Sequence, residues 1–378
     1  MRRAVSLSTT TALCSLLLWL GCAPRRIQTT TVSPSEVQAR FTQLVMASPM
    51  RITVNARDAE HARTAASAAY ARAIEVENAL SDWQPNSAVC RLPEHAGQPT
   101  VVTGDLATAL EWSSAVQRAT DGAFDPALGA LTQLWREARA SGTRPSDALA
   151  AQARARSGWS HVRWNGDTRT IEFDCDGVRL DFGGIGKGLA STEALMTLER
   201  EGCLIALVSL DGDVACGAAP NGRTGWRVRV DSGVDGDPGC LLSVTHCAVS
   251  TSGDRQQSME VDGERITHII DPLTVAPRQG HFAATVVAPH GATADALATA
   301  IAARPALMDR VDELRAALGP FEARLVTVDS NAEGRSTARV RATEGWKALV
   351  ATDAPASAPS PAAAAPSSVR AGTSPPNR

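Results

Sequence analysis

The stretch HVRWNGDTRTIEFDCDGVRLDFGGIGKGLASTEALMTLER, residues 161–200, decides the fold. It is strand-like at 161–164 and 170–173, with Asn165-Gly166-Asp167 as a hairpin turn between them. A third strand-like piece, 178–181, ends at an acid, Asp181. Gly183 and Gly184 then lead into a helix from about 187 to 201. Strands closed by a hairpin and followed by a helix predict an α+β fold. Its sheets are mixed or antiparallel with packed helices, not a doubly wound parallel sheet.

Outward from that stretch the pattern repeats. Apolar spacing predicts helices at 59–80, 105–119, 145–156 and 292–303. Short apolar runs predict strands at 205–210, 226–230, 243–249, 265–270 and 283–287. Of the 378 residues, 44% are hydrophobic, enough for a sizeable core. A net charge of −3 and no long basic run give no field for nucleic acid. There is one Tyr against eight Trp, so a Trp among motif residues is a candidate for stacking.

The start reads as an export signal. Arg2 and Arg3 precede an apolar run at 12–20, and Gly21-Cys22 closes it. Residues 1–22 are expected to be a lipoprotein-type signal, leaving Cys22 lipidated and the protein anchored to a membrane in the cell envelope, facing the periplasm or exterior. Residues 23–41 read as a tether, 42–349 as one folded domain, and 350–378 as a disordered Ala/Pro/Ser tail. Cysteines remain at 90, 175, 203, 216, 240 and 247. None forms a C-x-x-C pair, which argues against zinc. In an oxidising compartment some can pair, and the sequence does not say which.

Several segments carry chemistry. In 180–188 (LDFGGIGKG) a strand ends at Asp181, glycines let backbone approach a ligand, and Lys187 opens a helix, which suits a phosphate. The plain alternative is a glycine-rich strand-to-helix turn. Asp295 and Thr299 are four apart and share one helix face. A carboxylate and a hydroxyl are hard oxygen ligands for Mg²⁺, although an Asp capping a helix reads the same way. Ser250-Thr251-Ser252-Gly253-Asp254 and His268-Ile269-Ile270-Asp271-Pro272 fit phosphate binding and proton transfer, or a hairpin and a structural His. Gly122-Ala123-Phe124-Asp125-Pro126 and Met46-Ala47-Ser48 are ordinary taken singly.

Taken in order, these segments, with Leu80-Ser81-Asp82-Trp83 and Ser209-Leu210-Asp211-Gly212-Asp213, resemble the FAD:protein FMN transferase (ApbE) family over about 42–310. The resemblance implies an ApbE-like fold that takes FAD as substrate with Mg²⁺ near its pyrophosphate, and covalent transfer of FMN to a Ser or Thr of a target protein with release of AMP. It implies metal ligation by Asp295 and Thr299, with backbone carbonyls of Gly184 and Ala298. It implies FAD contacts from Met46, Trp83, Ala123, Phe124, Asp125, Asp181, Lys187 and Ile269, and a general base at His268. The implied partner is an acceptor flavoprotein or membrane redox subunit. Two rival readings keep the same site: a Mg²⁺-dependent FAD pyrophosphatase, and a non-catalytic FAD-binding lipoprotein.

The chain departs from the family pattern. Ala47-Ser48 replaces Gly-Thr, and Asp211 adds a carboxylate to the usual Gly-Gly-Asp. Thr192 replaces an Asp. Val275 stands in a loop where the family has Gly, and a β-branched residue there is expected to reshape it.

Overall fold

The computed structural model describes residues 28–352 except 34–35, 93–95, 255–257, 262–263 and 331–335. Strand Glu36–Val45 folds back on Ser48–Ala56 through Met46 and Ala47, both at positive φ (50° and 58°). A two-residue turn with both centres left-handed matches the twist of the strands it joins. This hairpin sits in a nine-stranded sheet. The order is Gln28–Ser33, Glu36–Val45, Ser48–Ala56, Ala206–Leu210, Asp213–Cys216, Cys247–Gly253, Phe282–Ala288, Glu322–Ser330 and Ser336–Ala342. Every neighbouring pair is antiparallel.

The strands alternate between two cores. Ala215, Ala248 and Val286 face the larger core, under helices Ala59–Leu80, Gly186–Arg200 and Gly291–Ala303. Cys216, Val249 and Val287 face a smaller one, closed by Trp226, Val228, Leu242 and Trp346. Period-two side-chain direction makes this division automatic. The helices approach closely because their buried faces are small: Ala62, Ala65, Ala66, Ala69 and Ala73 in the first. Arg72 ties three helices together, donating to Asp105 at 2.7 Å and to Glu193 at 3.1 Å. Among the described residues, no helix is long and apolar enough to cross a membrane.

Several expectations change. The folded unit begins before residue 42: Ala39 and Phe41 of the supposed tether are buried in the core. The 178–181 piece joins no sheet. The Gly129 and Arg179 backbones bond at 3.0 Å, and Asp181 N–H donates to Pro126 O at 2.7 Å, so an irregular loop takes its hydrogen bonds. The 243–249 run is two strands, Cys240–Val244 and Cys247–Gly253, split by His246 at φ 48°. The 265–270 run breaks at His268 into Glu264–Thr267 and Ile270–Asp271. A helix at Gly129–Ser141 is new, and the one expected at 145–156 is shorter, Asp147–Arg154. The proposed signal (1–22) lies outside the described residues, as does the tail beyond 352.

Candidate active site

A cavity of about 690 Å³ opens where the sheet, the 186–200 and 291–303 helices and the Gly129–Ser141 helix meet. Its floor is made by two helix starts that touch. Gly188 and Gly291 lie backbone to backbone: a Cβ on Gly188 would fall 2.7 Å from Asp295 Cβ and overlap the Gly291 carbonyl. Gly291 N–H donates to Thr192 Oγ1 at 2.9 Å, so the Thr192 departure serves this crossing. Only the missing side chains allow the approach. It brings Gly188 N–H within 3.0 Å of Asp295 Oδ2.

Asp295 and Thr299 both line the cavity from one face of their helix. Thr299 Oγ1 lies 3.0 Å from Ser252 Oγ and would lie 3.0 Å from a Cβ placed on Gly184. Thr299 thus meets the Gly184 backbone, and Asp295 lines the same cavity one helical turn earlier. Burial pushes the Asp295 carboxyl up to about 6, against the pull of Lys187 and Gly188 N–H. Asp213 is buried beside it and takes a hydrogen bond from the Ser250 hydroxyl. Burial, then the Asp295 charge, hold Asp213 well above the usual carboxylate range. Lys187 Nζ stands 3.4 Å from Asp211 and 3.9 Å from Asp213. Burial works against its charge, but Asp213, Asp295 and Asp211 together raise its pKa. Oxygen donors with excess negative charge on a buried floor fit a hard divalent cation such as Mg²⁺.

The opposite wall is aromatic and cationic. Trp83 is 69% exposed at the cavity edge, and the Arg136 guanidinium sits 4.0 Å from its ring centroid. Arg136 also donates to Asp82 at 2.8 Å and lies 3.7 Å from Asp181. Asp181 in turn accepts from Gly183 N–H at 2.7 Å, fixing the glycine turn. One arginine therefore holds the Trp83 loop against the Asp181 turn.

Of the residues expected from the sequence, Met46, Trp83, Ala123, Phe124, Asp125, Asp181, Gly184, Lys187, His268, Ile269, Asp295 and Thr299 all line this cavity. Ala298 does not; it is fully buried. Asp125 borders the cavity, and each of its oxygens accepts one backbone N–H, from Ala127 and Trp159, at 2.8 Å. These two bonds fix the turn around it. Met46 N–H is held by Glu77 at 2.9 Å. Val275 takes a left-handed conformation (φ 59°), which is strained for a β-branched residue. Asp211 occupies a left-handed turn position and faces Lys187. Sequence reasoning missed Arg136 and gave Asp213 no role. Arg136 carries no motif. Asp213 closes the quoted Asp211-Gly212-Asp213 turn, but only its pairing with Leu210 turns it inward.

Known proteins resemble this chain in sequence and in fold. A curated FAD:protein FMN transferase from Treponema pallidum is 32% identical over 276 residues, covering 68% of this chain and 76% of its own length. One from Klebsiella pneumoniae is 26% identical over 275 residues, covering 71% and 79%. Among solved structures, the ApbE protein of Thermotoga maritima superposes with a TM-score of 0.69 at 26% identity, covering 82% of this chain and 99% of that one. The flavin transferase ApbE of Vibrio cholerae gives 0.68 at 22%, with the same coverage, which speaks for the fold. The ApbE family model matches residues 46–315, the span that holds every residue of the cavity named above, and the chain belongs to the ApbE family.

Proposed function

We propose that this protein is a Mg²⁺-dependent FAD:protein FMN transferase that attaches FMN to a Ser or Thr hydroxyl of an acceptor protein and releases AMP. The observation that carries the reading is that Asp295, Thr299 and Gly184 line one cavity, with Lys187 and His268 lining the same space. The name shared by the curated relatives supports the donor and the class of reaction.

The residues divide the work. Lys187 and the start of the 186–200 helix offer positive charge to the diphosphate. Asp295 and Thr299, with the Gly184 carbonyl, would hold Mg²⁺, which when bound neutralises the diphosphate and polarises the phosphorus under attack. Trp83, backed by Arg136, offers a flat face for a ring of the dinucleotide. His268 takes the proton from the acceptor hydroxyl as its oxygen bonds to the FMN-side phosphorus. The bond to the AMP phosphate breaks, and AMP carries away the electron pair. Positioning and charge account for most of the acceleration, with the base adding about 10²–10⁴-fold.

We also place the protein at the cell envelope, tethered by a lipid on Cys22. The support is the Arg2-Arg3, apolar run and Gly21-Cys22 pattern alone. An exported or membrane-facing acceptor follows from that position.

The experiment incubates purified protein with FAD, Mg²⁺ and a candidate acceptor domain, then reads acceptor mass and free nucleotides. An acceptor heavier by one FMN, with equimolar AMP, supports transfer. Free FMN with an unmodified acceptor points to hydrolysis, and intact FAD to binding alone.

A further inference from the structure

Two cysteines outside the cavity face each other across the centre of the sheet. Cys216 ends strand Asp213–Cys216 and Cys247 begins Cys247–Gly253, and the two are direct partners in the antiparallel register. Gly217 N–H donates to Ala206 O at 2.9 Å on one side and Asp254 N–H to Phe282 O at 3.2 Å on the other, so the alternation along both strands turns the backbone groups of 216 and 247 toward each other as a hydrogen-bonded pair. Such pairs have Cα atoms about 5.5 Å apart, inside the span of about 4.4–6.8 Å that a disulfide bridges. Direct partners project to the same face, and both thiols lie in the smaller core with Trp226 and Trp346. Both are free thiols here. Cys216 is buried, while Cys247 is half-buried and reachable.

We propose that Cys216 and Cys247 form a structural disulfide that staples these two strands in register. The same strands, three residues further on, place Asp213 beside Ser250, whose hydroxyl hydrogen-bonds the Asp213 carboxylate on the cavity floor. A one-residue slip would turn that pair to the other face. The bond arises by thiol–disulfide exchange with a disulfide oxidant, either oxidised glutathione or a dithiol oxidase of the export compartment. The Cys247 thiolate attacks one oxidant sulfur and displaces the other as a thiol. The Cys216 thiolate then attacks Cys247 Sγ and displaces the second thiol. Two electrons pass to the oxidant, and the two thiol protons end on its reduced sulfurs. Burial pushes Cys247 up to about 11 and Cys216 higher still. Exchange is therefore slow, which suits a bond made once during maturation.

The other cysteines lack this placement. Cys90, Cys175 and Cys203 have no cysteine as strand partner among the described residues, and Cys240 pairs with Val230. The test incubates the full chain with oxidised glutathione, alkylates under denaturing conditions and maps peptides without reduction. The expected result is one linked species carrying Cys216 and Cys247, with the other cysteines alkylated. Reduction is expected to lower Tm by about 5 °C, in line with removal of a loop of some thirty residues. Cys216→Ser and the half-buried Cys247→Ala should each abolish that redox-dependent shift, while Cys203→Ser keeps it. Full alkylation of both residues after oxidation, or a bond from either to another cysteine, overturns the proposal.

Discussion

Gly188 and Gly291 are packed backbone against backbone, and this contact sets the distance between the two helices that build the floor of the cavity. Gly188→Ala must push the helices apart, because its Cβ meets carbonyl and Asp295 atoms that cannot swing away. Overpacking of this kind costs about 1–3 kcal/mol. We expect a lower urea midpoint and a larger fractional loss of FAD cleavage than of stability, since Asp295 moves with the helix. Activity kept at the wild-type level would mean the crossing does not position Asp295.

Arg136 joins Trp83 to Asp82 and Asp181. Removing it leaves two acids facing each other, and Asp82 is already raised by burial and by the Asp181 charge. Arg136→Ala should weaken FAD binding by about tenfold, equivalent to roughly 1.4 kcal/mol, a typical loss for a charged hydrogen bond. KM should rise more than kcat falls. Flavin quenching of tryptophan fluorescence, titrated with FAD, measures it directly.

Asp237 and Arg324 form an ion pair with almost no exposure, bonded at 3.1 Å, and Ser232 donates to the same carboxylate at 2.6 Å. Burial alone would raise the Asp237 pKa, but the Arg324 and Ser232 contacts win and lower it. The folded state thus holds this proton more weakly than the unfolded chain. The resulting stability is present above the ordinary Asp value of about 3.9 and is lost as pH falls through the depressed folded value. Wild-type urea midpoints should fall steeply below about pH 4. Asp237→Asn should be destabilised by about 3–5 kcal/mol at neutral pH, with a shallower acid limb. Parallel acid limbs would remove Asp237 as the cause.

Val275 sits at φ 59°, where a β-branched residue is strained by about 1–2 kcal/mol. Glycine there loses more chain entropy on folding, which offsets part of the gain. Val275→Gly should stabilise the protein by up to about 1 kcal/mol in chemical denaturation. A destabilised variant would show that Val275 packing against the Leu128, Trp135 and Ile270 cluster outweighs its backbone strain.

The sequence made the helices legible because their apolar spacing is long and regular; Ala59–Leu80 and Gly291–Ala303 stand within a residue of expectation. Strand limits were less so. A single left-handed residue, His246, divides one apolar run into strands of different sheets, and no composition cue marks it. The site was legible wherever chemistry and local spacing coincide, as at Asp295 and Thr299. It was illegible where partners come from distant segments: Arg136 meets Asp82 across 54 positions, and Ser250 meets Asp213 across 37. Asp125 carries a tie its motif did not announce: one of its oxygens accepts from Trp159 N–H, 34 positions away.

The most direct test is a crystal grown with FAD and Mn²⁺ in place of Mg²⁺, with the metal located by anomalous scattering. The expected result is a peak bound by the Asp295 carboxylate and the Thr299 hydroxyl and in contact with the FAD diphosphate. A peak elsewhere, or a diphosphate seated away from those two side chains, would contradict it.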